Sequence, residues 1–329
     1  MIGTTRLLVA ATLCLTSSLA AQARRFELND LGREITLSGP RLSPDGRQVA
    51  VVVTRTNYAD NRFERSLVLV DVASGAVRDL TPGRRNIGSV EWAPSGDRLA
   101  FIDKDGEKPP QLFLLPLAGG EARRITDTKR GVSGFAWRPD GRSFAFLTED
   151  EPVERTGEER HNKSFEVGDN MYLDQAASLA TQMWTVAADG GEPTRVTSGV
   201  RSVTGVTWAP DGRRVLLSVR PRPQSGELIN ATVVLRDMET GAERTITERR
   251  GFGSLGAVSP DGQLVATIAS RGAELGFRPG TVLVAPIGGG PAREVTEAID
   301  RNLSSLRWLP DSKSLMVTAA DLTQYRAWI

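Results

Sequence analysis

One six-residue phrase recurs along this chain and constrains its fold more than any other feature. It occupies residues 42–47, 92–97, 137–142, 208–213, 258–263 and 308–313, and its clearest form is Trp-Ala-Pro-Asp-Gly-Arg. Its proline returns after 50, 45, 71, 50 and 50 residues. A period of this length is typical of propellers and solenoids, in which one supersecondary unit is repeated along the chain.

The chemistry of the phrase predicts a tight hairpin. Proline presets φ for the first central position of a turn, and glycine takes the positive φ that closes it. Short apolar segments flank each phrase, a third such segment follows, and a second glycine-containing turn leads to a fourth that closes on Thr81, Thr126, Thr197, Thr247 or Thr296. Four antiparallel strands per unit make a propeller blade, so the sequence predicts an all-β β-propeller with six visible repeats.

All six tryptophans fall on repeat positions. Trp92, Trp137, Trp208 and Trp308 precede the first turn of their units, and Trp184 and Trp328 lie in predicted third strands. A tryptophan stripe can serve sugar stacking, but recurrence at one repeat position favours packing between blades.

The sixth repeat stops inside its third predicted strand, at Ile329. A blade that lacks its fourth strand leaves an unpaired edge. Two readings are open: the chain is a fragment of a longer product, or residues 26–35 complete the last blade. We favour the fragment and expect a seven-bladed ring when the protein is complete.

The first 23 residues read as a secretory signal peptide. Arg6 precedes a short apolar run over residues 7–19, and Ala21-Gln22-Ala23 forms a small-x-small cleavage site. The run is too short to span a bilayer. The propeller is therefore expected over residues 24–329, exported to the periplasm or the extracellular space, with no membrane attachment after cleavage.

Charge and cysteine content exclude several classes of function. The 41 basic and 40 acidic residues give a formal net charge of +1, which does not favour nucleic acid as a partner. Cys14 is the only cysteine and lies in the signal peptide, so the exported chain is expected to have no disulfide and no thiolate chemistry.

A long insertion at about residues 149–181 separates the second and third strands of the third repeat. Loops of this length in a compact domain are usually functional or mobile. The plainer interpretation is a solvated decoration on one blade, and the sharper hypothesis is a segment that contacts a second domain or gates access to it. Its candidate residues are Arg155, Glu158, Glu159, Arg160, His161, Phe165 and Tyr172.

No catalytic, cofactor-binding or metal-binding residues are predicted. His161 is the only histidine, and no Gly-x-Ser-x-Gly string provides the exposed serine of a hydrolase elbow. One histidine without cysteine does not make a zinc site. We therefore expect no catalysis by this chain alone.

The repeat phrase, the Gly-Gly turn and the closing threonine resemble two groups of propellers. One is the periplasmic TolB type; the other is the N-terminal propeller of the prolyl oligopeptidase family of serine peptidases, in its acylaminoacyl-peptidase and dipeptidyl-aminopeptidase-like branch. The stretch His-Asn-Lys-Ser-Phe-Glu-Val-Gly-Asp-Asn-Met-Tyr-Leu at 161–173, with Met-Trp-Thr-Val at 183–186, is similar to a third-blade segment of bacterial peptidases of that branch.

This resemblance implies a propeller that caps an α/β-hydrolase domain and restricts entry to peptides. The catalytic serine, aspartate and histidine belong to that domain, so none is carried over to a residue here. The expected function is thus the substrate-gating, non-catalytic portion of an exported serine peptidase. The alternatives are a stand-alone TolB-like propeller that binds a protein partner and a propeller fused to another hydrolase, such as an amidohydrolase.

Overall fold

The computed structural model describes residues 25–165, 177–247, 249, 256–270 and 279–329. These residues form 23 β-strands and three short 3₁₀ helices. None of the helices in the described part of the chain is long and apolar enough to cross a membrane.

The strands are consecutive in sequence and group into blades. The first two blades contain β1 Ile35–Leu42, β2 Gln48–Asn57, β3 Arg62–Asp71, β4 Val77–Asp79, β5 Gly88–Trp92, β6 Arg98–Asp103, β7 Gln111–Pro116 and β8 Arg123–Arg124. The third and fourth contain β9 Gly134–Trp137, β10 Ser143–Glu149, β11 Thr181–Ala187, β12 Thr194–Arg195, β13 Ser202–Trp208, β14 Arg214–Arg220, β15 Thr232–Asp237 and β16 Glu243–Thr245. The last two contain β17 Ala257–Val258, β18 Leu264–Ser270, β19 Gly280–Pro286, β20 Arg293–Glu294, β21 Leu303–Trp308, β22 Leu315–Asp321 and β23 Gln324–Trp328. The 3₁₀ helices are Leu28–Arg33, Gly157–His161 and Ser225–Asn230.

Each blade is an antiparallel sheet of strands in sequence order. Five sheets have four strands, and the sixth, β21-β22-β23, has three. The predicted propeller with six visible repeats is therefore confirmed. The seven-bladed ring stays a prediction.

The recurring phrase forms the hairpin between the first and second strands of each blade. Its glycine has a positive φ in five blades, from +64° at Gly212 to +75° at Gly96, and Ser312 takes the same conformation at +57°. The aspartate contributes more than tolerance of the turn, since its carboxylate accepts the backbone N–H two residues later, at 3.1 Å for Asp45 and 2.9 Å for Asp211. This side-chain turn explains the recurrence of aspartate before glycine.

The closing threonine lies just after the fourth strand rather than at its end, so that part of the strand prediction was wrong. The fourth strands end two residues earlier, for example at Asp79 and Arg124. The hydroxyl of Thr126 instead accepts the backbone N–H of Leu112, fourteen residues earlier, at 3.0 Å. Thr81, Thr197 and Thr296 accept equivalent bonds. Threonine recurs because its hydroxyl extends the ladder where the fourth strand has no further backbone partner.

Replacing Thr126 by valine is expected to lower the free energy of unfolding by about 1 to 2 kcal/mol, because the buried Leu112 N–H loses its acceptor while the shape is kept. Urea denaturation of the two proteins measures the difference. Thr36→Val on the exposed strand β1 is the control and should change stability by less than about 0.5 kcal/mol. Equal effects of the two substitutions would contradict the role given to Thr126.

Buried apolar clusters join each blade to the next. The cluster between the second and third blades contains Phe144, Phe146 and Trp137, and comparable clusters lie between the other consecutive blades up to the sixth. Trp308 also donates its indole N–H to the carbonyl of Ala257 in the preceding blade, at 3.0 Å. The predicted packing role of the tryptophans between blades is thus confirmed.

The first and sixth blades form the ends of the array. Within the described ranges, no buried cluster joins the sixth blade to the first. Strand β1 is exposed along its length, with Leu37 66% exposed. Residues 28–33 form a 3₁₀ helix, and β1 begins at Ile35 and pairs with β2. The alternative in which residues 26–35 complete the last blade is therefore wrong, because they belong to the first.

Candidate gating rim

The up-and-down order of strands divides the connections between two rims. The repeat phrase and the glycine turns lie at one rim. The connections from second to third strands, and the crossovers between blades, lie at the other, which we call the long-loop rim. The predicted insertion is the connection between β10 and β11 on this rim.

Hydrogen bonds and ion pairs hold the base of this connection. The Asp150 N–H donates to the carbonyl of Ala180 at 2.8 Å, which extends the β10–β11 ladder by one step. Arg195 of the neighbouring strand pairs with the Asp150 carboxylate at 2.7 Å. The two ends of the insertion are therefore fixed to the third blade.

Two further ion pairs link the insertion to the crossover that precedes its blade. Arg130 pairs with Glu149, and Lys129 with Glu151, each at 2.7 Å. The hydrogen bond that Lys129 donates to the Glu151 carboxylate raises the pKa of Lys129 above its usual value. These pairs are exposed, so they set the direction of the chain more than they stabilise it.

A buried glutamine fixes the next crossover. Gln182 is fully buried, and its amide donates to the carbonyls of Gly199 at 2.9 Å and Arg201 at 3.1 Å. Its own carbonyl accepts the hydroxyl of Thr197 at 2.7 Å. Gln111 makes the corresponding bonds in the second blade. Sequence reasoning missed these glutamines, although Gln111 and Gln182 occupy the same repeat position at the start of their third strands, as the first residue of β7 and the second of β11.

Within the insertion, the structure brings Arg155 and Glu159 together through a shared neighbour. Arg155 donates to the backbone carbonyls of Asn162 and Ser164, the latter at 2.8 Å. The Asn162 amide donates to the Glu159 carboxylate at 2.9 Å. The first part of the insertion is thus a closed polar loop around the 3₁₀ helix Gly157–His161.

The other predicted residues are not gathered into a site. Arg160 donates to Nε2 of its neighbour His161 at 2.9 Å, and both side chains are exposed, as is Glu158. Phe165 is half-buried, and Tyr172 lies outside the described residues. The predicted gating role of this set remains a prediction.

The described part of the rim is polar and charged. Nε2 of His161 accepts its hydrogen bond from the Arg160 guanidinium, whereas the histidine of a catalytic triad is hydrogen-bonded to a carboxylate. Among the described residues, no group of three His, Cys, Asp or Glu side chains is arranged to hold a metal ion. The described part of the rim carries guanidinium, carboxylate and amide groups.

A second polar feature of this rim lies between the first two blades. Arg84 pairs with Asp103 at 2.6 Å, and its guanidinium lies 4.4 Å from the centre of the Phe113 ring. Arg84 also donates to the carbonyl of Ala122 at 3.3 Å. Asp103 is 4% exposed. Nothing in the repeat pattern distinguishes Arg84 or Asp103, because the two residues are 19 positions apart and lie at different positions of the repeat.

The innermost strand of the second blade carries a partly buried acid. Glu91 lies opposite Ala100, which belongs to the apolar cluster facing the third blade. Burial raises the pKa of the Glu91 carboxyl to about 7, and the nearby charge of Arg41 opposes this shift only in part. Sequence reasoning missed this residue, which stands where Ala136 and Thr207 stand in the next two blades.

Comparison with known proteins finds sequence similarity to a peptidase. No model of a known protein family matches this chain. Over 310 residues, or 87% of the chain, it is 26% identical to dipeptidyl-peptidase 5 of Porphyromonas gingivalis. The chain spans 45% of the length of that relative.

Solved structures share the fold at low sequence identity. The acylaminoacyl peptidase of Pyrococcus horikoshii matches 90% of this chain over 45% of its own length, with a TM-score of 0.67 and 16% identity. The propeller domain of the Trilobed protease from Pyrococcus furiosus, which has an open velcro topology, matches 90% of this chain and 81% of its own, with a TM-score of 0.63 and 17% identity.

TolB propellers share the fold too. A putative TolB from Agrobacterium tumefaciens matches 79% of this chain and 80% of its own, with a TM-score of 0.54 and 19% identity. The resemblance to peptidase and TolB propellers that the repeat phrase indicates is therefore confirmed.

Proposed function

We propose that this chain is the non-catalytic propeller of an exported oligopeptidase-like serine peptidase, in which it gates the access of peptides to an α/β-hydrolase domain. The observation that carries the proposal is the similarity to dipeptidyl-peptidase 5, which runs through 87% of this chain but only 45% of the relative. The similarity thus follows the propeller itself and is not confined to one motif.

The long-loop rim supports this function. The base of the insertion is held by the Asp150–Ala180 bond and the Arg195–Asp150 pair, while its first part projects as an exposed polar loop. A fixed base and an exposed loop suit a segment that contacts a second domain or substrate. Binding residues are often carried on loops that a rigid scaffold positions.

The first test is the sequence of the source gene beyond the codon for Ile329. The reading frame is expected to continue into a Gly-x-Ser-x-Gly motif followed by an aspartate and a histidine. The purified 329-residue chain should not hydrolyse dipeptidyl or acylaminoacyl nitroanilides, whereas the full-length product should. Hydrolysis by the chain alone would overturn the proposal.

Gating is tested in the full-length product with Arg155→Ala, which removes the bonds to Asn162 and Ser164. The ratio of kcat/KM for a peptide of about 20 residues to that for a dipeptidyl nitroanilide is expected to rise several-fold, because a loosened loop restricts the longer substrate less. Arg142→Ala, on the opposite rim, is the matched control. Unchanged ratios for both variants would exclude the gating role of the loop.

A stand-alone binding propeller is the second candidate, and the match to 80% of a putative TolB favours it. In that case an authentic stop codon follows Ile329 in intact genomic DNA. The chain should then be monodisperse in size-exclusion chromatography and should unfold in one cooperative transition.

A further inference from the structure

A cavity of about 570 Å³ lies at the long-loop rim of the fourth blade. Its walls come from the ends of β14 and β15, the 3₁₀ helix Ser225–Asn230 and the crossover from the third blade. Val219 and Val234 form an apolar floor, and Arg201, Arg220 and Thr232 are among the polar residues that line it. An apolar floor with a few convergent polar groups is the usual composition of a small-molecule site.

Arg220 is the unusual member of this set. Its Nε atom is buried without a hydrogen-bond partner, and within the described ranges its guanidinium forms no hydrogen bond or ion pair. Burial lowers the pKa of Arg220 below the usual value of an arginine. A partly buried cation without a partner costs free energy, and such groups are found where a ligand supplies the missing charge.

The backbone under both arginines is fixed. Arg220 lies opposite Ser202 in the β13–β14 ladder, and Ser202 is fully buried and accepts the N–H of Thr181 at 3.1 Å. The carbonyl of Arg201 accepts the buried Gln182 amide at 3.1 Å. The two guanidinium-bearing residues are therefore presented by rigid elements, as a preorganised site requires.

The local charge balance favours an anion. Arg201 pairs with Glu243 at 2.9 Å, but Glu243 also pairs with Arg236 at 2.8 Å, so these three residues carry one net positive charge. Glu227, the acid in the cavity wall, accepts the amide of Asn230 at 2.8 Å. With Arg220 added, the surroundings of the cavity remain cationic.

We propose that this cavity binds the oxyanion of a small ligand, with Arg220 as the principal contact and Arg201 as the second. Planar guanidinium groups match carboxylate and phosphate oxygens in pairs of hydrogen bonds. The carboxylate of a peptide C-terminus is one source of such an oxyanion. This choice of source rests on the proposed function, whereas the oxyanion site itself does not. Phosphate is the other source.

Titration of the purified chain by isothermal calorimetry and by ¹H–¹⁵N spectra tests the site at constant ionic strength. The probes are a short peptide with a free C-terminus, the same peptide amidated, and inorganic phosphate. The free peptide or phosphate is expected to bind, and Arg220→Gln is expected to weaken that binding about tenfold or more, the worth of one charge-assisted hydrogen-bonded contact. Binding of the free but not the amidated peptide assigns the carboxylate, and binding of phosphate alone assigns phosphate.

Arg293→Gln is the matched control, because it removes the same charge from an exposed position of β20. It should leave the affinity unchanged. Arg220→Lys keeps the charge but not the paired geometry, so it should bind more weakly than the natural chain and more tightly than Arg220→Gln. The thermal midpoint of Arg220→Gln should be equal to or above that of the natural chain, since the variant removes a partly buried charge that has no partner among the described residues.

The proposal is overturned if neither the free peptide nor inorganic phosphate binds. It is also overturned if Arg220→Gln and Arg293→Gln change the affinity equally. Neither result bears on the peptidase proposal, because all measurements use this chain without a hydrolase domain. Likewise, a gene that ends at Ile329 would leave the oxyanion site intact.

Discussion

Replacing Asp103 by alanine should lower the free energy of unfolding by about 3 kcal/mol, at the lower end of the range for breaking a buried ion pair. The substitution leaves Arg84 without its partner between the first two blades, where its guanidinium lies 2.6 Å from the lost carboxylate. The lower end of this range is expected because the Arg84 side chain is 27% exposed in the folded chain, so water can hydrate its guanidinium when Asp103 is absent. Urea denaturation at neutral pH measures the change.

Asp105→Ala is the control for this prediction. Asp105 pairs with Lys108 at 3.3 Å in the same connection, but the two side chains are 81% and 74% exposed. An exposed pair contributes less than about 1 kcal/mol. If both substitutions destabilise the chain equally, the Arg84–Asp103 contact does not join the first two blades as described.

Glu91→Gln should stabilise the chain at pH 8 by about 2 kcal/mol, and the gain should disappear near pH 4.5. Burial raises the pKa of Glu91 to about 7 in the folded chain, against 4.5 without it. The folded state therefore holds this proton between the two values, and its stability falls as the pH rises from 4.5 through 7. Above pH 7 the natural chain keeps a desolvated charge that glutamine lacks. Because the Glu91 side chain keeps some exposure to solvent, the expected change in stability is smaller than the full pKa shift would give.

Unfolding free energies at pH 4.5, 6 and 8 test the sign as well as the size of this effect. Glu121→Gln serves as a control, because Glu121 is exposed in the turn between β7 and β8. Its stability difference should stay within about 0.5 kcal/mol at each pH. A Glu91→Gln variant that is less stable than the natural chain at pH 8 would contradict the description of the Glu91 environment.

The fold could be predicted from the sequence because its determinants are local and repeated. Glycine at the positive-φ position of the hairpin and the aspartate before it act within a few residues, so Gly46 or Gly212 can be recognised without any tertiary information. The closing threonine was visible as a pattern, but its partner was not. The acceptor role of Thr126 depends on a residue fourteen positions away.

The candidate sites were less predictable for the same physical reason. The insertion was visible as an interruption of the period, and Arg155 and Glu159 were named from its charge. The Arg84–Asp103 contact, the raised pKa of Glu91 and the unpaired guanidinium of Arg220 depend on neighbours from other strands or blades. Arginine is common in this chain, and Arg220 differs from the other described arginines in combining partial burial with a guanidinium that has no partner.

The succession of clusters between consecutive blades has a consequence for how the molecule opens. A unit that contacts only its neighbours makes the chain a one-dimensional array, whose stability is the sum of unit and interface contributions. In residues 1–329 taken alone, an inner blade is held by two interfaces and the first and sixth blades by one each, so amide hydrogens of this chain should exchange fastest in those two blades and slowest in the third and fourth. Opening would then proceed inwards from the ends, and the insertion would be carried by one of the two blades that open last.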